Sequence, residues 1–506
     1  MSDDRQVLVI GSGPSGAMAA LTLVKQGIPV TMLESGQSLP SGWLVRVAGR
    51  NLIRSRPQVE DPKIHVASDD AGASWFHAHC LGGMSSHWAG AVPRFAPDDF
   101  FEGERLDERY RWPISYRDLE PYYEQIERML SVTAARRSVP AQPASIVAHE
   151  RRLPHDWDAV AEAAESLGHG LTPLPLAAGP RWALQRTGVG FNSYTNIVQP
   201  LERSPLFRLI RGAHALRLHW RGDEQKVTGI TYFDRETGSE QQIKGAAVVV
   251  AAGPLASTSL LLNSTSPDFP EGLGETEGLL GHYLHDHPYD VGLVDLARPI
   301  DGLRQSAVLT RAPYAESSPL VGAACVLGSN SAWEKARTVT PFGSKSLGVW
   351  IFGTMVPTHG NYVRLDPSTK DAFGLPSLDV HIRYDESVPA NMARARQRLA
   401  DVFDAAGYPS TVRSVTPTLV PGQSIHYGGT VRMHSSRTYG MLNAWNRLHA
   451  VDNVVVADAS CFTTGPEKNP TLTVMAIAAR AAHRLAVDLK TANVRTSTRQ
   501  LVAAGR

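Results

Sequence analysis

At 506 residues, 42% of them hydrophobic, the chain is too long for one ordinary core and is expected to fold as two intertwined domains. A formal charge of +1, with both signs mixed along the chain, leaves no basic stripe for nucleic acid and no acidic tail, so a neutral small molecule is the expected partner. Cys80, Cys325 and Cys461 lie far apart, without the spacing of a zinc site or a disulfide framework, and neither a signal peptide nor a membrane-spanning run is expected, which points to the cytoplasm.

In chain order, residues 7–10 (Val-Leu-Val-Ile) suit a buried parallel strand, and the turn that follows carries Gly11, Gly13 and Gly16 around Pro14 and Ser15. Glycines so placed permit a tight turn, close approach to a pyrophosphate and close packing of the next helix, here residues 17–25. A second apolar run, residues 28–33, ends at Glu34, eighteen residues past Gly16, a spacing that suits a carboxylate on a ribose hydroxyl. Together they read as a dinucleotide cradle, although the glycines alone do not separate FAD from NAD.

Residues 41–73 read as a surface excursion. The stretch 80–95 then pairs glycines with small hydroxyl residues, a loop whose backbone can lie close against a flat ligand. Ser115 precedes a helical pattern with acidic residues in its first turns. Strand-like runs occupy 207–210, 214–220 and 227–233, and a second fully apolar strand, 246–253, leads into a helix at 254–263 that starts with Pro. Between 289 and 384 the runs 291–296, 320–327, 347–355 and 378–384 read as an antiparallel sheet with one face over a pocket, supported by a helix at 389–406. Residues 453–460 form a strand and turn, and an Ala-rich helix is expected at 474–485.

Residues 11–16 taken with 82–90 resemble the glucose-methanol-choline oxidoreductases, which bind FAD and oxidise alcohols. The string Gly82-Gly83-Met84-Ser85-Ser86-His87-Trp88, followed by Pro93-Arg94-Phe95, is most similar to pyranose oxidases and bacterial glycoside 3-oxidases, the C-glycoside oxidases. Further strings follow the family's order: Trp112-Pro113 to Tyr122-Tyr123, Asn361 to Pro376, and His426-Tyr427-Gly428-Gly429-Thr430-Val431-Arg432-Met433. The resemblance implies an α/β fold with an antiparallel sheet: a Rossmann-like FAD-binding domain at 1–285 with 424–506, and a substrate-binding domain at 286–423.

By the same resemblance the cofactor-binding residues are Gly11, Gly13, Pro14, Ser15, Gly16, Glu34, Gly82, Gly83, Met84, Ser86, His87, Trp88, Ala89, Ala213, Gly253, Asp458, Ala459, Asn469 and Thr471, with the Ala213 backbone at the adenine. His87 matches the histidine that carries a covalent flavin bond in fungal relatives, while some bacterial relatives hold FAD without one, so both readings stand. Ala89 replaces a threonine found beside the flavin in the fungal enzymes. His426 and Asn469 stand where the family places its catalytic pair: a neutral imidazole suits a base that takes the hydroxyl proton, and an amide N–H suits a developing alkoxide. No metal site is expected: His285 and His287 lack a third ligand, and the family's Asp-His-Pro string is read as the end of a helix.

The implied activity is oxidation of a secondary ring hydroxyl, C3 or C2, of a sugar or of an O- or C-glycoside, with oxygen reduced to hydrogen peroxide, by a monomer or homodimer. The alternatives are a dehydrogenase using a quinone or another acceptor, an oxidase of a biosynthetic aminosugar, and a flavin-binding protein without catalysis.

Overall fold

Residues Val7–Ile10, all four buried, run down the middle of a five-stranded parallel sheet. The structure is a computed structural model that describes residues 6–37, 66–68, 75–76, 79–177, 191–303, 305–311, 320, 322–328, 344–415 and 419–504. Ala247–Val250 and Val30–Glu34 flank the central strand, with Val7 opposite both Ala247 and Val30, and Val454–Val456 and Phe207–Arg211 form the edges. Uninterrupted apolar strands are what a parallel sheet covered on both faces requires. Helix Pro14–Lys25 packs against helix Thr471–Ala504, which begins three residues earlier than the pattern suggests and continues far beyond it. Among the described residues no helix is long and apolar enough to cross a membrane.

A six-stranded antiparallel sheet carries the second core, in the order Ser410–Ser414, Tyr289–Ile300, Ser344–Gly353, Ala323–Leu327, Ala307–Leu309, Leu171–Pro173. Alternation sends its side chains to two faces. Val349, Ile351, Cys325 and Leu309 face helix Ser387–Ala405 through Leu399, Val402 and Phe403. Phe352, Trp350, Ala324, Val326 and Val308 form the opposite face and meet Ala91 and Leu174. Each fully buried side chain of this size contributes about 1.5–3 kcal/mol, so both faces stabilise the sheet.

Segments from before residue 285 also pack into this second core: Leu171–Pro173 pairs with Ala307–Leu309, and helix Trp157–Ser166 joins it, its Trp157 ring 5.8 Å from Phe403. A three-residue strand is too short to show a period, so only the pairing reveals it. The run at 378–384 does not join the six-stranded sheet. Instead Pro376–His381 pairs antiparallel with Tyr362–Lys370 and parallel with Val66–Ser68. Residues 41–73 otherwise lie outside the described residues. Nor does a helix end at Asp286-His287-Pro288: those residues form no regular element, and His285 just before them bridges Gly428.

Two motif residues hold the layers together. Ser115 caps helix Tyr116–Leu130 with Asp118, whose carboxylate accepts from the Ser115 N–H at 2.8 Å. Arg94, buried, donates to both oxygens of buried Glu127 at 2.9 and 2.6 Å and to the Tyr116 hydroxyl at 2.7 Å.

Candidate active site

The glycine turn divides into positions the protein needs and one it does not. A Cβ on Gly11 would meet the Ala251 carbonyl oxygen at 2.4 Å, and one on Gly16 would meet the Gly11 carbonyl oxygen at 2.1 Å. Those two glycines let strand, turn and helix close on one another. Gly13, with φ −60° and ψ 176°, has an ordinary extended backbone, and a Cβ there would find nothing within 4 Å. Space of this kind above the bare N–H groups opening helix Pro14–Lys25 suits a phosphate group. Pro14 and Ser15 start that helix, and Ser15 is buried. The Glu34 carboxylate anchors the turn, accepting from the Ser12 N–H at 2.9 Å, the Ser12 hydroxyl at 2.6 Å and the Gly36 N–H at 2.7 Å. Burial pushes its carboxyl above the ordinary range against these bonds. Oxygen Oε1 keeps capacity for one further donor, such as a ribose hydroxyl.

The second glycine loop docks on the first. The Gly82 N–H donates to the Ser12 hydroxyl at 2.9 Å, and a Cβ on Gly83 would come 3.2 Å from the Gly13 Cα. Both glycines have positive φ, 84° and 49°, which side chains rarely adopt. Ser193 ties the two turns, donating to the carbonyls of Ser12 at 2.9 Å and Gly82 at 3.1 Å. Along the loop, Met84 and Ala89 are half-buried, Ser86 donates to the Leu81 carbonyl, and the Trp88 indole donates to the Phe191 carbonyl. His87 is buried, with Nε2 3.7 Å from the Cys80 thiol and its ring edge-on to Phe76 at 5.4 Å.

Ala213 opens the strand next to the Glu34 end of the sheet, where the Gly212 N–H donates to the Gly36 carbonyl. Gly253 sits at the start of helix Pro254–Leu262 with φ 91° and nothing within 4 Å of its added Cβ. The Asp458 side chain is engaged within the protein. Its carboxylate accepts from the Ser257 hydroxyl, the Gly253 N–H at 3.0 Å, and the Ser460 N–H and hydroxyl at 2.9 and 2.6 Å, which uses the four acceptor positions a carboxylate has. That side chain clips two strand ends together, leaving only the backbone of Asp458 and Ala459 for a ligand.

His426 follows a strained turn. Ile425, β-branched, is held at φ 61°, a conformation that costs on the order of 1–3 kcal/mol. Buried Asp286 clamps it, accepting from the Gly422 N–H at 3.1 Å, the His426 N–H at 3.0 Å and the Ser424 hydroxyl. The His426 ring then meets two partners, His287 Nδ1 3.0 Å from its Nδ1 and Asn469 Nδ2 3.1 Å from its Nε2. Asn469 lies two residues before Thr471, the first residue of the long helix. Phe352, from the apolar face of the six-stranded sheet, stands over the His426 ring at 5.4 Å.

The protons in this chain can be assigned from its far end. His287 Nε2 lies 2.7 Å from the Pro466 carbonyl, which can only accept, so that nitrogen carries the hydrogen. Burial holds His287 down to about 4 and, with the His287 ring adding to it, holds His426 well below the ordinary imidazole range, so both are neutral at pH 7. Neutral His287 therefore has a lone pair on Nδ1, which accepts from His426 Nδ1–H. His426 Nε2 is left unprotonated, beside an amide donor. That is the arrangement of a base and an alkoxide stabiliser.

The structure thus brings His426 and Asn469 together and joins the two glycine loops. His287, Asp286 and Phe352 join the site without a local sequence signal for it: the first two lie in the Asp-His-Pro string, and Phe352 is one aromatic among several in a strand.

Residues 9–289 and 357–478 match the amino- and carboxy-terminal models of GMC oxidoreductases. The chain is 29% identical to a 2-methyl-1,2-propanediol dehydrogenase of Mycolicibacterium austroafricanum, covering 95% of each chain. It is 30% identical to a 6'''-hydroxyparomomycin C oxidase of Streptomyces lividus, over 96% of this chain and 91% of that one. A C-glycoside 3-oxidase of Microbacterium trichothecenolyticum is 25% identical over 96% of each chain. Among solved structures, pyridoxine 4-oxidase from Mesorbium loti shares the fold, with a TM-score of 0.66 at 18% identity, over 95% of this chain and 99% of that one.

Proposed function

The chain belongs to the GMC oxidoreductase family, and from that premise we propose that it is an FAD-dependent oxidase of a secondary ring hydroxyl, at C3 or C2, of a sugar or an O- or C-glycoside. Members of this family bind FAD, which supplies a hydride acceptor and, on reoxidation by oxygen, hydrogen peroxide. Residues 11–16 and the helix start at Pro14 hold the pyrophosphate, Glu34 a ribose hydroxyl, the Ala213 backbone the adenine, and residues 82–89 with Gly253, Ala459 and Thr471 the remainder. FAD is held without a bond to His87, whose Nε2 faces the Cys80 thiol inside the loop; acid precipitation should therefore leave all flavin in solution.

The single observation that carries the reading is the chain Pro466–His287–His426–Asn469, which leaves His426 Nε2 unprotonated beside an amide donor. His426 takes the substrate hydroxyl proton at Nε2. Asn469 donates an N–H to the oxygen as it gains charge, an interaction strongest in the transition state. His287 holds the imidazole in the correct tautomer, and Phe352 with the sheet face behind it keeps water from that side.

Because burial lowers the affinity of His426 for protons, the base is fully neutral above its depressed value and is lost only as pH falls through it. Anaerobic flavin reduction by a glycoside should therefore show no inflection at the free imidazole value of about 6.5 and lose the base only in more acid solution. A sigmoid rise centred near the free imidazole value of about 6.5 would contradict a buried base.

A second reading, a dehydrogenase, is favoured by Ala89, which offers no hydroxyl beside the flavin position, and by dehydrogenases among its relatives. Reduced enzyme mixed with air and, separately, with a quinone separates the two. Fast peroxide formation in air supports the oxidase, whereas fast reoxidation by quinone alone supports the dehydrogenase.

A further inference from the structure

Directly behind the catalytic pair lies a set of ionisable side chains that the chemistry above does not use. Asp99, Glu102, Arg311, Glu467 and Lys468 are all buried, at 0, 1, 1, 3 and 6% exposure. Arg311 Nη2 donates to Asp99 Oδ1 at 2.8 Å and Arg311 Nε to Glu467 Oε2 at 3.0 Å. Lys468 Nζ lies 2.9 Å from Asp99 Oδ2 and 2.9 Å from Glu467 Oε1. Four charges of alternating sign therefore close a ring: Arg311, Asp99, Lys468, Glu467. Glu102 stands outside it, 3.9 Å from Arg311 and without a hydrogen bond among the described residues. Burial pushes its carboxyl well above the ordinary range, which keeps it neutral and the set balanced at two cations and two anions.

Burying four charges is costly and often adds little stability over apolar side chains of the same size. Position gives a better account. Asp99 comes from the turn Pro97–Phe100 and Arg311 from the end of strand Ala307–Leu309, the sheet whose other residues wall the site. Between them they grip two consecutive residues, Glu467 and Lys468. The residue before, Pro466, offers its carbonyl to the Lys468 N–H at 2.7 Å and to His287 Nε2 at 2.7 Å. The residue after is Asn469.

We propose that this ring is a positioning device for the base: it fixes the Asn469 amide and the Pro466 carbonyl, and through that carbonyl the tautomers of His287 and His426. The proposal rests on the reading of His426 as the base. Arg311 and Lys468 are positioning residues, and neither touches the substrate.

The test uses full-length protein loaded with FAD, with Lys468→Met, Lys468→Arg and Arg311→Lys compared with the parent. Anaerobic reduction by a glycoside is followed at saturation, together with nitrogen NMR of 15N-histidine-labelled protein, which reports imidazole tautomers. Lys468→Met should reduce at least about tenfold more slowly with little change in the half-saturating substrate concentration, and should lose the single Nδ1–H tautomer of His426. Lys468→Arg should restore both. Should Lys468→Met fail to fold, Arg311→Lys, which keeps the charge and loses the fork, should show the same slowing and the same mixed tautomer. A folded Lys468→Met or Arg311→Lys protein with parental reduction rate and parental histidine spectrum overturns the proposal. A His426→Ala variant in the same series tells the two failures apart: if it reduces normally, the base has been misassigned, and if it alone is slow, only the ring has.

Discussion

His426→Ala should keep FAD bound yet slow its reduction by substrate at least about a hundredfold, the lower end of what a positioned base contributes. The geometry separates binding from chemistry here. His426 contacts His287, Asn469 and Phe352, whereas the glycine cradle is built from residues 11–16 and 82–83, which are held by Ser12, Glu34 and Ser193. Removing the imidazole therefore leaves the cradle intact and deletes the lone pair that receives the proton. The Asn469 amide remains and still stabilises charge on oxygen, which is why the loss stays finite. Stopped-flow reduction without air, together with the visible spectrum of the purified protein, measures both halves. A yellow variant reduced at the parental rate would remove His426 from its role.

Gly13→Val should give a folded protein that has lost its grip on FAD. Its backbone, at φ −60° and ψ 176°, is open to any residue, and the protein places nothing within 4 Å of the new Cβ. Apart from a slightly poorer start to helix Pro14–Lys25, worth about 1 kcal/mol or less, the apoprotein meets no clash at the new Cβ. A ligand phosphate over the turn does, because it needs the closest backbone approach where the methyl groups would now stand. Overpacking of this kind costs about 1–3 kcal/mol, which raises the dissociation constant by roughly five- to 150-fold. Gly16→Ala is the contrasting control: its Cβ would fall 2.1 Å from the Gly11 carbonyl oxygen, so the apoprotein itself should melt earlier. Flavin fluorescence titration and apoprotein melting read the two effects separately. A Gly13→Val protein that binds FAD like the parent would mean that the open space above the turn is not the pyrophosphate site.

Which features were legible in the sequence follows from the range of the interactions that make them. The strand Val7–Ile10, the glycine turn and its helix are local, so periodicity and glycine spacing sufficed. The pairing of His426 with Asn469 spans 43 residues but sits inside two family strings, so resemblance supplied it. His287 lies 139 residues from His426, and a two-residue His spacing says nothing about a distant ring. Leu171–Pro173 and Val66–Ser68 are too short to carry a period, so only their pairing reveals the sheets they complete. Resemblance places Asp458 at the cofactor without saying which of its atoms serve, and its carboxylate is taken up by Ser257, Gly253 and Ser460, contacts that no local pattern announces.

The measurement closest to the central claim is anaerobic mixing of the FAD-loaded protein with glucose, simple O-glucosides and C-glucosides, followed by the absorbance of the bound flavin. Bleaching by at least one glycoside, abolished or slowed at least about a hundredfold in His426→Ala, is the predicted result. A protein that holds FAD and is bleached by none of these sugars would contradict the account.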